Sequence, residues 1–139
     1  MSCAAERPAI AGVDHVAILV ADTETALAHW RDHLGLTVVH QEVNAVAQAR
    51  MTYLDAGNLL LQLLEPLNPD APLGRALAAD GEGLHHLCFG TDDVLRDAAV
   101  AATGDDAPAP SLGSGRGRPS AFVPGAAPNG VRVEFTQSD

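Results

Sequence analysis

An internal repeat constrains this chain more than any other feature. Gly12-Val13-Asp14-His15-Val16-Ala17-Ile18 and Gly83-Leu84-His85-His86-Leu87-Cys88-Phe89 share the order glycine, apolar, polar, histidine, apolar run, at an offset of 71 residues. A fixed period of this kind marks a duplicated structural module, so the fold must satisfy both copies. The offset extends past the histidines, because Asp22 stands opposite Asp93 and each closes an apolar run. Each half ends in another apolar stretch, Leu59 to Leu64 with Gln62 and Val131 to Phe135 with Glu134. His15 to Gln62 is 47 residues and His86 to Glu134 is 48. Each half opens on a histidine strand and closes on a strand carrying a side-chain oxygen.

Within the first half the pattern reads strand, helix, three strands. Val13 to Val20 is apolar and β-branched enough for a strand. Asp22 suits a helix N-cap, Leu27, Trp30 and Leu34 recur at helical spacing, and Gly35 stands where a terminating glycine belongs. Thr37 to His40, Arg50 to Leu54 and Leu59 to Leu64 then read as strands, the last two joined at Asp55-Ala56-Gly57-Asn58. Asn68-Pro69-Asp70-Ala71-Pro72 is a turn that opens a short linking helix from Leu73 to Ala79. The second half repeats the order with a strand from Leu84, a helix after Asp93, a Gly/Pro/Ala-rich loop from Gly104 to Pro119, and strands near Ser120 to Val123 and Val131 to Thr136. The expected class is α+β, a single domain over residues 1–139, with module 1 at about 12–66, a linking helix at about 70–80 and module 2 at about 83–136.

Eight basic residues against eighteen acidic ones give a net charge of -10. That balance argues against a nucleic-acid backbone or an anionic membrane as partner. All eight basic residues are arginine. A chain without lysine cannot form a Schiff base or supply a Walker-type phosphate lysine. Cys3 and Cys88 have no C-x-x-C spacing, so neither a disulfide framework nor a redox motif is expected. No apolar run is long enough to span a bilayer. These readings predict a cytoplasmic protein acting on a small molecule.

Alternate residues of a strand share a face. His15 and His86, at equivalent places in two modules, can therefore point into one concavity, with Gln62 and Glu134 reaching it from the closing strands. Two imidazoles, a carboxylate and an amide oxygen form a mixed nitrogen and oxygen donor set. Such a set suits a divalent Zn, Co, Ni, Mn or Fe ion with room for substrate, and not a closed structural zinc. A single histidine here would read as a satisfied interior residue; folding alone does not call for one at both symmetric positions.

The segments GVDHVAILVADTETALAHWRDHLGL, LLLQLLEPLNPD, GEGLHHLCFGTDDV and GVRVEF resemble the vicinal oxygen chelate superfamily, and within it the methylmalonyl-CoA epimerase branch. The resemblance covers about residues 12–136 and is weakest from Leu95 to Pro119. It implies paired βαβββ modules forming an open, cup-shaped mixed sheet around a divalent metal, with His15, Gln62, His86 and Glu134 as ligands, and a homodimer. It also implies an epimerase or isomerase that enolises a small acyl-thioester or dicarbonyl substrate. A metal on the carbonyl oxygens stabilises the enolate, and inversion needs a base on one face and an acid on the other. Glu134 takes one of these roles.

Three departures bear on the second role and on the substrate. The family's acidic residues fall at Ala45 or Val46, where no carboxylate stands, leaving Glu42 as the substitute and Gln48 as a residue that can orient substrate. Arg132, two residues before Glu134, stands where the family is usually apolar, and either grips a substrate carboxylate or makes a structural ion pair. The basic residue that follows the family's Phe-x-x-Pro segment is absent from Phe122-Val123-Pro124-Gly125-Ala126. Two further readings stay open: a related lyase, cyclase or isomerase of secondary metabolism that lacks the usual second base, and a small-molecule binding or resistance protein. Gly113 to Arg118 reads as a mobile loop, with Arg116 or Arg118 as a contact for an anionic substrate if it acts as a lid. His29 and His33, at i and i+4, lie off the apolar stripe and read as solvated. Cys88 reads as core, His85 as pointing away from His86 and as a packed or hydrogen-bonded neighbour, and His40 carries no signal.

Overall fold

The computed structural model describes residues 6–104 and 106–138, so Cys3 lies outside the described residues. The chain forms two compact units, His15–His86, and Leu87–Asp139 together with Met1–Asp14. The class is α+β, and the repeat is realised as βαβββ twice over.

The first module runs β1 (Val13–Leu19), α1 (Thr23–Leu27), a π-helical turn (Ala28–His33), β2 (Thr37–Asn44), β3 (Ala49–Asp55) and β4 (Leu60–Pro66), followed by α2 (Pro72–Asp80). Its strands lie in the order β2-β3-β4-β1. β1 runs parallel to β4, with Ala17 opposite Gln62, and the other pairs are antiparallel. The sheet is therefore mixed. The second module runs β5 (Gly83–Thr91), α3 (Val94–Ala101), β6 (Gly113–Gly115), β7 (Arg118–Phe122) and β8 (Arg132–Gln137), in the order β5-β8-β7-β6. That is the same order, one module later.

β4 is buried on both faces, which is why Leu60 to Leu64 reads as an apolar run and not as an alternation. On one face Leu54, Leu61 and Leu63 pack with Val20 and Leu27 under α1; on the other Ala17, Leu19, Met51, Tyr53 and Leu64 pack with Leu73 and Leu77 of α2. This second face carries the side chains of interest. In the second unit Val94 and Ala98 of α3 cover Ala121 and Phe135.

Asp22 caps α1, accepting from the Thr25 N–H at 2.9 Å, and Asp93 caps α3 in the same way from Arg96. The helix after Asp22 departs from the expected continuous α-helix. Leu34 N–H donates to His29 C=O, an i to i+5 bond, and the wider turn carries Leu34 off the stripe into solvent at 51% exposure while Leu27 stays buried. The stretch from Gly113 to Arg118, expected as a mobile loop, is instead a β-hairpin. Its central residues Arg116 and Gly117 have φ of 55° and 72°, the paired positive values of a type I′ turn. Glycine meets that demand at 117, and Arg116 is held there by Asp14, the ion pair described below.

Residues 6–12 are tied to the second unit. Ala11 N–H donates to Gly90 C=O at 2.8 Å and Gly90 N–H to Gly12 C=O at 3.0 Å, while Ala9 N–H reaches the buried carboxylate of Asp97. No helix among the described residues is long and apolar enough to cross a membrane.

Candidate metal centre

Strand alternation brings His15, Gln62 and Tyr53 to one face of the first unit, since Tyr53 pairs with Gln62 and Gln62 with Ala17 across the sheet. His86, entering from β5, joins them. The rings of His15 and His86 stand 5.5 Å apart and 73° to each other, and His15 meets the Tyr53 ring edge-on at 5.8 Å. All four are buried, His15 and Gln62 to 3% exposure and His86 to 5%. The Nε2 atoms of both histidines are out of reach of solvent.

Gln62 carries an unusual atom for a buried cluster. Its Nε2 donates to the Tyr53 hydroxyl at 2.8 Å, yet its buried Oε1 accepts no hydrogen bond among the described residues. A buried amide oxygen without a donor costs about 1–3 kcal/mol, which a leucine here would avoid. A cation beside that atom would supply the missing partner. Two imidazoles beside such an oxygen are the chemistry of a borderline divalent metal, so the residues present fit the ion that the spacing implied.

His85 is a hydrogen-bonded neighbour, and its partner is His86 itself: Nδ1 lies 2.8 Å from His86 Nδ1. Tyr53 went unnoticed in the sequence, although its register opposite Gln62 could have been inferred once the β3–β4 hairpin was recognised.

Glu134 lies in β8 of the second unit, opposite Phe122 of β7. The Cys88 thiol of β5 is buried and donates to the Phe89 carbonyl at 3.9 Å. Burial pushes that thiol's pKa far above the usual range, and the charges of Glu134 and Asp14 push it further, so Cys88 stays protonated and acts as a donor. Arg116 pairs with Asp14 through Nη2, and Arg118 Nη1 is 3.9 Å from the same carboxylate. Arg132, exposed, lies at the edge of an apolar cavity of about 610 Å³ bordered by Leu87, Phe89, Val133 and Phe135. Those four alternate with Cys88 and Glu134 along their strands, so the cavity lies on the opposite face.

Glu42 is half-buried in the middle of β2 and is joined to His40 Nε2 at 3.1 Å. It faces the same side as Met51, its partner in β3, and His40 packs on the Tyr53 ring at 5.7 Å. Glu42 and His40 therefore share a face with Tyr53 and Gln62. Gln48 sits exposed in the β2–β3 turn, where its Oε1 accepts from Asn68 Nδ2 at 2.8 Å. His29 and His33 are exposed and stacked, as a solvated helix face would have them.

Residues 14–122 match the family described as glyoxalase/bleomycin resistance protein/dioxygenase superfamily. The chain belongs to this superfamily. Among its relatives, the ethylmalonyl-CoA/methylmalonyl-CoA epimerase of Cereibacter sphaeroides is 31% identical over 92% of this chain and 98% of its own length. The uncharacterized protein YqjC of Bacillus subtilis is 35% identical over 77 residues, 55% of each chain. Among solved structures, a methylmalonyl-CoA epimerase in complex with methylmalonyl-CoA and NH4+ superposes with a TM-score of 0.76 at 34% identity, over 94% of this chain and 96% of that one. Within the superfamily the chain is thus epimerase-like.

Proposed function

We propose that the chain is a divalent-metal-dependent epimerase or isomerase that enolises a small acyl-thioester or dicarbonyl substrate of the methylmalonyl-CoA kind. The observation that carries this reading is the buried cluster of His15, His86 and Gln62 with its undonated amide oxygen. His15, Gln62 and His86 would hold the ion, and Glu134, which occupies in β8 the place that Gln62 occupies in β4, adds the carboxylate. When bound, a Co, Zn, Ni, Mn or Fe ion supplies Lewis-acid polarisation of the substrate's carbonyl oxygen, which eases loss of the adjacent C–H proton.

The protein's own groups handle that proton. Glu134 accepts it. Inversion requires delivery to the other face of the same carbon. Glu42, hydrogen-bonded to His40 and on the same face as Gln62 and Tyr53, takes that second role in the absence of a carboxylate at Ala45 or Val46. Arg116 would exchange Asp14 for a substrate carboxylate, with Gln48 as an outer contact; Arg132, at the edge of the cavity on the opposite face, would stand apart from the substrate. The chain would act in the cytoplasm as a homodimer.

Two measurements test this. Metal analysis of purified protein should find about one equivalent that His86→Ala lacks. In heavy water, metal-loaded protein should wash out the α-proton of methylmalonyl-CoA. Stoichiometric metal without washout would favour a related reaction on another substrate; no metal would sink the reading.

A further inference from the structure

We infer that His85 and Tyr53 are positioning residues that hold His86 and Gln62 in their metal-binding states before any ion arrives; this rests on the metal reading above. The two imidazoles meet nitrogen to nitrogen, His85 Nδ1 to His86 Nδ1 at 2.8 Å. One of the two nitrogens must carry the hydrogen. With the proton on His86 Nδ1 and the lone pair on His85 Nδ1, the buried Nε2 of His86 keeps the lone pair that a metal takes. The reverse arrangement would place a hydrogen on Nε2 of neutral His86 and close it to any ion.

Tyr53 does the same for the amide. Its hydroxyl donates to Met51 Sδ at 3.7 Å, which leaves the phenol oxygen to accept from Gln62 Nε2 at 2.8 Å. The nitrogen end of Gln62 is thereby turned away and Oε1 faces the cluster. Flipped by half a turn, the same side chain would present two N–H groups to a cation. Both contacts are of the kind that fixes tautomer and orientation in metal sites, where loss of the outer partner weakens metal affinity by about 10–100-fold.

The test uses cobalt(II) added to chelator-stripped protein, with affinity read by competition and geometry by the visible spectrum. H85A and Y53F should each bind cobalt about 10–100-fold more weakly than wild type with unchanged circular dichroism. H33A, altered on the exposed helix face, should match the wild type. Long-range proton–nitrogen NMR on the metal-free protein supplies a readout independent of metal. It should find the His86 proton on Nδ1, and a shift toward Nε2 in H85A. Affinities of H85A and Y53F within twofold of wild type, or a proton on His86 Nε2 in the wild type, would overturn the positioning roles. If instead H86A binds cobalt as the wild type does, the metal reading fails and the positioning roles fall with it.

Discussion

Substituting Gly74 by alanine should destabilise this protein, although the same change in most helices does the opposite. Gly74 is buried within α2, and alanine is favoured over glycine in a helix interior by about 1 kcal/mol. A Cβ at this position would lie 2.2 Å from the carbonyl oxygen of Asn68, 2.6 Å from Pro69 Cα and 2.8 Å from Pro69 C. Carbon atoms in contact need about 3.5 Å, so the helix and the turn must separate by more than an ångström. The obstacle is backbone and cannot rotate aside. The turn is itself braced, since Ala71 N–H donates to the Asn68 carbonyl and Asp70 N–H to its side chain. Overpacking of this kind costs about 1–3 kcal/mol and sometimes more, which exceeds the propensity gain. With three backbone atoms inside 3 Å the upper part of that range applies, so a net loss of up to about 2 kcal/mol is expected, or a fall of up to roughly 8 °C in melting temperature for a chain of this size. Urea and thermal melts of G74A beside wild type measure it. A midpoint at or above that of wild type would refute the close approach of α2 to the 68–69 turn.

Three further outcomes follow from other parts of the molecule. Burial would raise the pKa of Asp97, but hydrogen bonds from the Thr91 hydroxyl and Ala9 N–H, with the Arg96 guanidinium, lower it overall. Its contribution is therefore present above the unfolded carboxylate pKa near ~4 and lost as pH falls through the lower folded value. D97N should cost about 2 kcal/mol at pH 7, a deficit that shrinks below roughly pH 4; an equal deficit at pH 7 and pH 3 would contradict this. H40Q and E42Q should slow inversion of methylmalonyl-CoA by about 10²–10³-fold while proton washout from one epimer persists, and full-speed inversion by both would remove this pair from the reaction. Cys88, buried and held protonated, should resist iodoacetamide at pH 8 in the native protein and react once unfolded; alkylation at the rate of an exposed thiol would show the burial to be wrong.

How legible these features were depended on whether they rested on local or long-range order. The duplicated βαβββ order was readable because each element has a local signature: alternation in β1, the Asp22 and Asp93 caps, and the glycine after the first helix. The π-helical turn was not, because periodicity in sequence cannot distinguish an i+4 from an i+5 hydrogen bond at Ala28–His33; the Leu34 to His29 bond and the exposure of Leu34 reveal the difference. The β6–β7 hairpin was hidden in a Gly- and Pro-rich stretch, since its anchor Asp14 is about a hundred residues away. Arg132 was placed beside Glu134 by strand alternation, yet it lies at the edge of a cavity floored by the opposite face, because it is the first residue of β8 and the chain is still turning there.

From sequence alone, the repeat and the chemical identity of its histidine, glutamine and glutamate positions established the fold class and a candidate donor set, because residue type and strand period are local properties. Which atoms of those side chains are presented was decided by tertiary structure. The nitrogen of His86 facing the cluster and the end of Gln62 turned toward it depend on His85 and Tyr53, partners whose reach is set by strand register and side-chain rotation. A residue name supplies a donor; hydrogen bonds from neighbouring side chains determine whether its lone pair is available.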